Sequence, residues 1–210
     1  MMFIVVITLL LNGCYCFVLG DQTPRNVTQQ LTVGNGGPFG TWGVKQFCPS
    51  QQFAIGYDIK VESYQLTADD TSLNAIKLIC ADAESYSAET TITSAMGPWG
   101  DWKGPATCIQ GTGDIMYLSA FSLQVEGTQG SSDDTSANWA KFQCRDMYGI
   151  KPMQELNKDP GHGLFGTFGA WSASCMPGSA ICGIRTKVEP VQNDGDDTAL
   201  NDVIFYCCHE

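Results

Sequence analysis

Gly37-Pro38-Phe39-Gly40-Thr41-Trp42 opens a stretch that closes on Asp69-Asp70-Thr71-Ser72-Leu73-Asn74 and then Cys80. The chain says nearly the same thing twice more. Gly97-Pro98-Trp99-Gly100-Asp101-Trp102 leads to Asp133-Asp134-Thr135-Ser136-Ala137-Asn138 and Cys144. Leu164-Phe165-Gly166, continued by Phe168-Gly169-Ala170-Trp171, leads to Asp196-Asp197-Thr198-Ala199-Leu200-Asn201 and Cys207. Such self-similarity fixes an architecture before any single residue is interpreted. The Asp-Asp-Thr motifs lie 64 and 63 residues apart, so the period is regular. Trp42, Trp102 and Trp171 are taken as equivalent and lie 60 and 69 apart, which places insertions between Asp146 and Pro160. That stretch is polar and broken by Pro152, Pro160 and Gly161, so it reads as a connecting loop.

Within each unit the hydrophobic period is two. Phe53, Ile55, Tyr57, Ile59 and Val61 alternate with Ala54, Gly56, Asp58, Lys60 and Glu62. Phe121, Leu123 and Val125 alternate with Ser122, Gln124 and Glu126, and Ile184, Thr186 and Val188 with Arg185, Lys187 and Glu189. These read as strands with one buried and one wet face. The segments after each Asn alternate in the same way, and no later stretch carries a helical period. The fold class is therefore all-β. A unit of this size buries little core alone, whereas three around an axis share one. The units are bounded at about 31–80, 91–144 and 163–208, within one domain spanning 21–210. Periodicity does not by itself choose among a prism, a trefoil and a three-bladed arrangement.

Residues 1–20 form an apolar run ending in small residues and read as a secretory signal peptide, with cleavage expected before Asp21. The mature protein is expected to be secreted and extracellular. Cys14 and Cys16 leave with the leader, and an even set of eight remains, which in a secreted chain implies disulfides. Zinc would need close Cys pairs such as Cys-x-x-Cys, and none occurs, so no metal and no cofactor is implied. The repeat pairs Cys48 with Cys80, Cys108 with Cys144 and Cys175 with Cys207, leaving Cys182 for Cys208. In the last unit Cys207 and Cys208 could exchange partners. Each loop closure stabilises by about 3 kcal/mol in the chain-entropy account. A net charge of −11 argues against nucleic acid or an anionic membrane as partner and favours basic protein partners. No segment after the leader is long and apolar enough to span a bilayer, so no membrane insertion is expected. Asn26-Val27-Thr28 is an N-glycosylation sequon.

The triple turn, the triple Asp-Asp-Thr with its Asn, and the Cys-Cys end together resemble the vitelline membrane outer layer protein 1 family, over almost the whole mature chain. The resemblance implies a β-prism of the first type, with three four-stranded Greek-key sheets related by a pseudo-threefold axis. It also implies a secreted coat component that binds glycans or coat glycoproteins. A lysozyme-like transferase acting on N-acetylglucosamine oligosaccharides is the second implied activity. The third turn departs from the pattern by lacking the Gly-Pro start.

Asp69, Asp70, Asp133, Asp134, Asp196 and Asp197 form three carboxylate pairs in equivalent loops. They are glycan-binding candidates, and a facing pair would suit glycosidic chemistry. Recurrence at one position in all three units favours a structural turn instead, in which the Asp side chain bonds backbone amides. Glu62, Glu126 and Glu189 recur at strand ends and are weighed the same way. Trp99 stands where the first unit has Phe39, and Trp139 stands where the others have Ala75 and Asp202. Alternation puts Trp139 on the face of Lys141 and Gln143, where an exposed indole would stack on a sugar ring; the competing reading is a rim residue that covers a neighbouring sheet. With only His162 and His209 in the chain, a Ser-His-Asp triad has little material. A site is best sought where the repeat is broken.

Overall fold

The computed structural model describes residues 25–63, 71–82, 90–108, 115–127, 136–192 and 198–209. Three antiparallel hairpins of ten-residue strands form its frame: β4 (Gln52–Val61) with β5 (Leu73–Asp82), β9 (Met116–Val125) with β10 (Ala137–Asp146), and β13 (Ser179–Val188) with β14 (Leu200–His209). Short strands complete each sheet. β6 (Thr90–Thr93) flanks β5, while β7 (Asp101–Trp102) and β8 (Ala106–Thr107) flank β4. β11 (Gln154–Leu156) flanks β10, and β12 (Thr167–Phe168) flanks β9. β1 (Val27–Leu31) flanks β14, while β2 (Thr41–Trp42) and β3 (Gln46–Phe47) flank β13. The strand orders β6-β5-β4-β7, β11-β10-β9-β12 and β1-β14-β13-β2 are the same Greek-key order three times. The described residues contain no helix. This is a β-prism, and the chain is all-β as its period-two pattern requires.

The sequence units and the sheets are out of phase. Each unit gives its turn and short strands to one sheet and its long hairpin to the next. The first unit thus builds β2 and β3 onto the β13–β14 sheet, which is closed by β1 from the start of the chain. Every sheet therefore draws on two units, and none can form from one unit alone.

Two bulges recur in each hairpin. Ile55, Ser119 and Cys182 are the extra residues in β4, β9 and β13, and Asn74, Asn138 and Asn201 are the extra residues in β5, β10 and β14. An inserted residue reverses which face later side chains occupy. Phe53 and Ile55 therefore pack in one cluster, and Tyr57, Ile59 and Val61 in another. The expectation of one continuous apolar face on β4 is corrected by the bulge at Ile55. The expected wet face is corrected too. Asp58, Ser122 and Gln124 are buried, because the crossing segments lie over the outer faces of the sheets. Ser122 Oγ donates to the Gly169 carbonyl at 2.9 Å, and Gln124 Nε2 donates to the Phe165 carbonyl at 2.7 Å.

The three sheets meet in an aromatic centre. The Tyr57 and Phe142 rings lie 4.5 Å apart, Phe121 and Phe205 lie 4.8 Å apart, and Phe142 and Phe205 lie 5.2 Å apart. Tyr57 brings a hydroxyl into this centre and satisfies it at both ends, donating to the Ala140 carbonyl at 3.1 Å and accepting from Lys158 N at 3.0 Å. Burial pushes its pKa up.

Disulfides staple the corners. Cys48 N, Cys108 N and Cys175 N donate to the carbonyls of the bulge residues Cys182, Ile55 and Ser119, each at 2.8 Å. Each of these cysteines then reaches across to the next sheet, through Cys48–Cys80, Cys108–Cys144 and Cys175–Cys207. The fourth bridge, Cys182–Cys208, lies inside the β13–β14 hairpin, which backbone pairing already holds. Its sister positions carry Ile55 with Ala81, and Ser119 with Arg145. Replacing Cys182→Ser together with Cys208→Ala should leave a folded protein, at a cost of about 3 kcal/mol. Cys108→Ala with Cys144→Ala should cost more, since it frees one sheet from another. Urea unfolding of the two double variants checks this order.

Candidate functional site

The opening motif is a turn that lies on a strand backbone. Gly40, Gly100 and Gly166 have φ of 80°, 77° and 70°. A Cβ on them would run into the backbone of Val188–Glu189, Val61–Glu62 and Val125–Glu126. Only glycine meets both demands. The next two residues then pair with the long strand: Trp42 opposite Lys187, Trp102 opposite Lys60 and Phe168 opposite Gln124. Phe168 therefore occupies the third tryptophan position, and the assignment of Trp171 to it is corrected. The third turn keeps the register of the other two without its Gly-Pro start. Counted to Phe168, the second interval is six residues longer than the first; four of the six fall between β8 and β9 and two between β10 and β12, which corrects the placing of the insertions between Asp146 and Pro160.

The Thr-x-x-Asn half of the closing motif is structural wherever it is described. Asn74, Asn138 and Asn201 are each 0% exposed. Asn74 Oδ1 accepts from Trp99 N at 3.2 Å, Asn138 Oδ1 from Phe165 N at 3.1 Å, and Asn201 Oδ1 from Phe39 N at 3.2 Å. Asn74 Nδ2 and Asn201 Nδ2 donate back to the Thr71 and Thr198 hydroxyls, at 2.7 and 2.6 Å. Those hydroxyls donate to Glu62 Oε2 and Glu189 Oε2, both at 2.6 Å. Ser72, Ser136 and Ala199 between them hold φ of 51°, 51° and 47°. The two serines link the sheets: Ser72 Oγ donates to Asn138 Oδ1 and Ser136 Oγ to Asn201 Oδ1, each at 3.0 Å. At the third corner Ala199 has no hydroxyl, so no such link can form there.

Asp69, Asp70, Asp133, Asp134, Asp196 and Asp197 lie outside the described residues. Trp99 is half-buried and tied to Asn74 through its backbone. Trp139 is 3% exposed, which rules out the solvent-facing reading and leaves the covering one. The segment after β11 lies over it. Trp139 Nε1 donates to Asn157 Oδ1 at 3.2 Å, and Asn157 Nδ2 donates to the Gly161 carbonyl at 2.8 Å. Alternation showed which face of β10 Trp139 occupies, but not what covers that face.

The covered indole forms one wall of a cleft of about 250 Å³ at the corner between the β4–β5 and β9–β10 hairpins. Val61, Glu62, Ser63 and Ser72 line one side, and Pro160, His162, Gly163, Leu164 and Phe165 the other. Leu164 stands at the lip, 69% exposed. A smaller cleft of about 170 Å³ lies at the next corner, where Glu126, Ser136 and Phe39 repeat the roles of Glu62, Ser72 and Phe165. The first cleft alone combines Trp139, His162 and Leu164, which the other units replace. The described residues hold no cluster suited to a metal ion. What the first cleft offers is an apolar floor with a carboxylate and hydroxyls at one side, a setting for a small ring bearing polar substituents.

The profile of the family Vitelline membrane outer layer protein I (VOMI) matches residues 29–210. The chain belongs to that family. It is 39% identical over 203 residues to the vitelline membrane outer layer protein 1 homolog of Homo sapiens, covering 95% of this chain and 93% of that protein. The Mus musculus homolog is 38% identical over 206 residues, with 95% and 94% covered. Among solved structures, the crystal structure of Calystegia sepium agglutinin matches 88% of this chain and 99% of its own at 14% identity, with a TM-score of 0.47.

Asp202 occupies the place in the third hairpin that Trp139 occupies in the second. It sits against Gly36 under the first turn, accepts from Val203 N at 2.8 Å and faces Lys187. Burial raises its pKa against the opposing effects of Val203 and Lys187. An acid whose folded pKa is raised destabilises the fold above that pKa. The penalty fades as pH falls through the folded value, and it is gone below the unfolded value of about 3.9. Asp202→Asn should therefore raise Tm at pH 7, with the gain vanishing in acid. Thermal melts from pH 3 to 8 test the trend.

Proposed function

We propose that this protein is a secreted component of an extracellular coat, and that it holds glycans or coat glycoproteins through the cleft beside Trp139. The carrying observation is convergence. Trp139, the Asn157–His162 segment and Leu164 each break the threefold repeat, and all three meet in one cleft. Family membership and the corner disulfides support work outside the cell. The excess of acidic side chains suits association with basic coat proteins.

The cleft falls just below the roughly 300–1,000 Å³ of drug-sized pockets, so it suits one sugar ring rather than a buried oligosaccharide. A Kd of about 1 mM would correspond to about −4 kcal/mol, too little for one ring to anchor the protein alone. Strong retention in a coat then comes from many such contacts. Transfer between N-acetylglucosamine oligosaccharides has less support, because the Glu62 and Glu189 carboxylates are engaged by their own turns.

NMR titration with N-acetyl chito-oligosaccharides should shift the Trp139 indole and Phe165 amide signals without producing new chain lengths. Leu164→Asp, at an exposed position, should weaken the titration at least tenfold and leave the fold intact. Shifts spread over the surface, or unaltered by Leu164→Asp, would count against the cleft. New chain lengths would favour the transferase.

A further inference from the structure

We infer that Asn26 carries an N-linked glycan, and that the topology of the prism holds its sequon open until the rest of the chain has been made. This rests on the secreted reading above. Asn26 is exposed and precedes β1, the outermost strand of its sheet. In the folded protein the sequon is engaged. His209 N donates to the Asn26 carbonyl at 3.3 Å, and the Thr28 hydroxyl donates to the Cys207 carbonyl at 3.3 Å. Thr28 is the bulged residue of β1, lying between the Val27–Cys208 and Gln29–Cys207 pairs. A glycosylating enzyme needs that hydroxyl and an extended, free acceptor segment, and the closed fold offers neither.

Chain order removes the conflict. The partner of β1 is β14, and Thr28 and Cys207 are 179 residues apart. At about 5–20 residues per second, synthesis leaves β1 without its partner for roughly 10–40 s. The other two long hairpins are complete well before that. The step itself is a transfer from a polyprenyl-pyrophosphate-linked oligosaccharide. A bond forms from the Asn26 side-chain nitrogen to the anomeric carbon, the carbon–oxygen bond to pyrophosphate breaks, the polyprenyl pyrophosphate leaves, and the amide loses one proton.

The fold gives the glycan a task. β1 is the longest of the three outermost strands beside the long second strands, with five residues against four in β6 and three in β11. Its sequence Val-Thr-Gln-Gln-Leu holds neither charge nor proline, so the bulge at Thr28 is the one guard this edge carries. A bulky solvated glycan at its head blocks the approach of another strand.

The test is expression of the full chain in secreting animal cells, in parallel with the same chain behind an added foreign leader. Peptide N-glycosidase treatment in heavy-oxygen water should convert Asn26 to labelled Asp and increase gel mobility in one step. Asn26→Gln should remove the step, and Thr28→Ser should keep it. Secreted protein of either form without label at Asn26 overturns the proposal. A labelled foreign-leader form, with the native form retained inside the cells, would uphold it while sinking the native secretion reading. Unglycosylated, disulfide-intact protein should be refused by microsomal extract and accepted once reduced and unfolded. Equal acceptance would overturn the timing argument.

Discussion

A buried asparagine at a β-bulge, used three times, is the constraint on which this structure depends. Asn74, Asn138 and Asn201 are inserted where the return strand leaves its turn, and their side chains bond the crossing segment. Each amide stands in for a missing strand partner. Its oxygen takes the N–H of the aromatic residue of the glycine turn, and at Asn74 and Asn201 its nitrogen binds the threonine hydroxyl. A buried amide left without these bonds would cost about 1–3 kcal/mol per unpaired group. The motif therefore specifies where the chain crosses over the sheet. That in turn sets the register of β2, β7 and β12 and places the cysteines that staple the corners.

The same device explains why the site is asymmetric. Once every crossing segment is clamped by an asparagine, the space beneath it depends on one variable residue, Ala75, Trp139 or Asp202. A large indole at the second of these positions requires a longer cover, supplied by Asn157 to Gly163. The gap left between that cover and the Glu62 end of β4 is the cleft. Ring and scaffold are thus coupled. The cavity exists because a bulky residue interrupts the symmetric packing, while the backbone on all sides is held by interactions that do recur.

The three β-units, their strand alternation and the family were legible in the sequence because short-range periodicity and repeated motifs survive without knowledge of contacts. The bulges were not. A single inserted residue leaves no mark in an alternating pattern such as Phe53 to Val61, yet it moves Phe53 and Ile55 into a different cluster from Tyr57. The offset between units and sheets was equally hidden, since a repeat read along the chain has no fixed starting point. Residue type alone matches Trp171 to Trp42, whereas the positive φ at Gly166 marks Phe168 as the counterpart. The cover over Trp139 depends on a distant segment that only the folded topology brings near.

Hydrogen exchange at three amides tests the central claim most directly. Phe39 N, Trp99 N and Phe165 N lie in turns that would otherwise exchange quickly, and each is held by a bulge asparagine. All three amides are expected to exchange only with global opening, with protection equal to that of the amides at the centre of the β4–β5 hairpin. Exchange at the rate of unprotected loop amides would show that the asparagines do not hold the turns, and would contradict that claim.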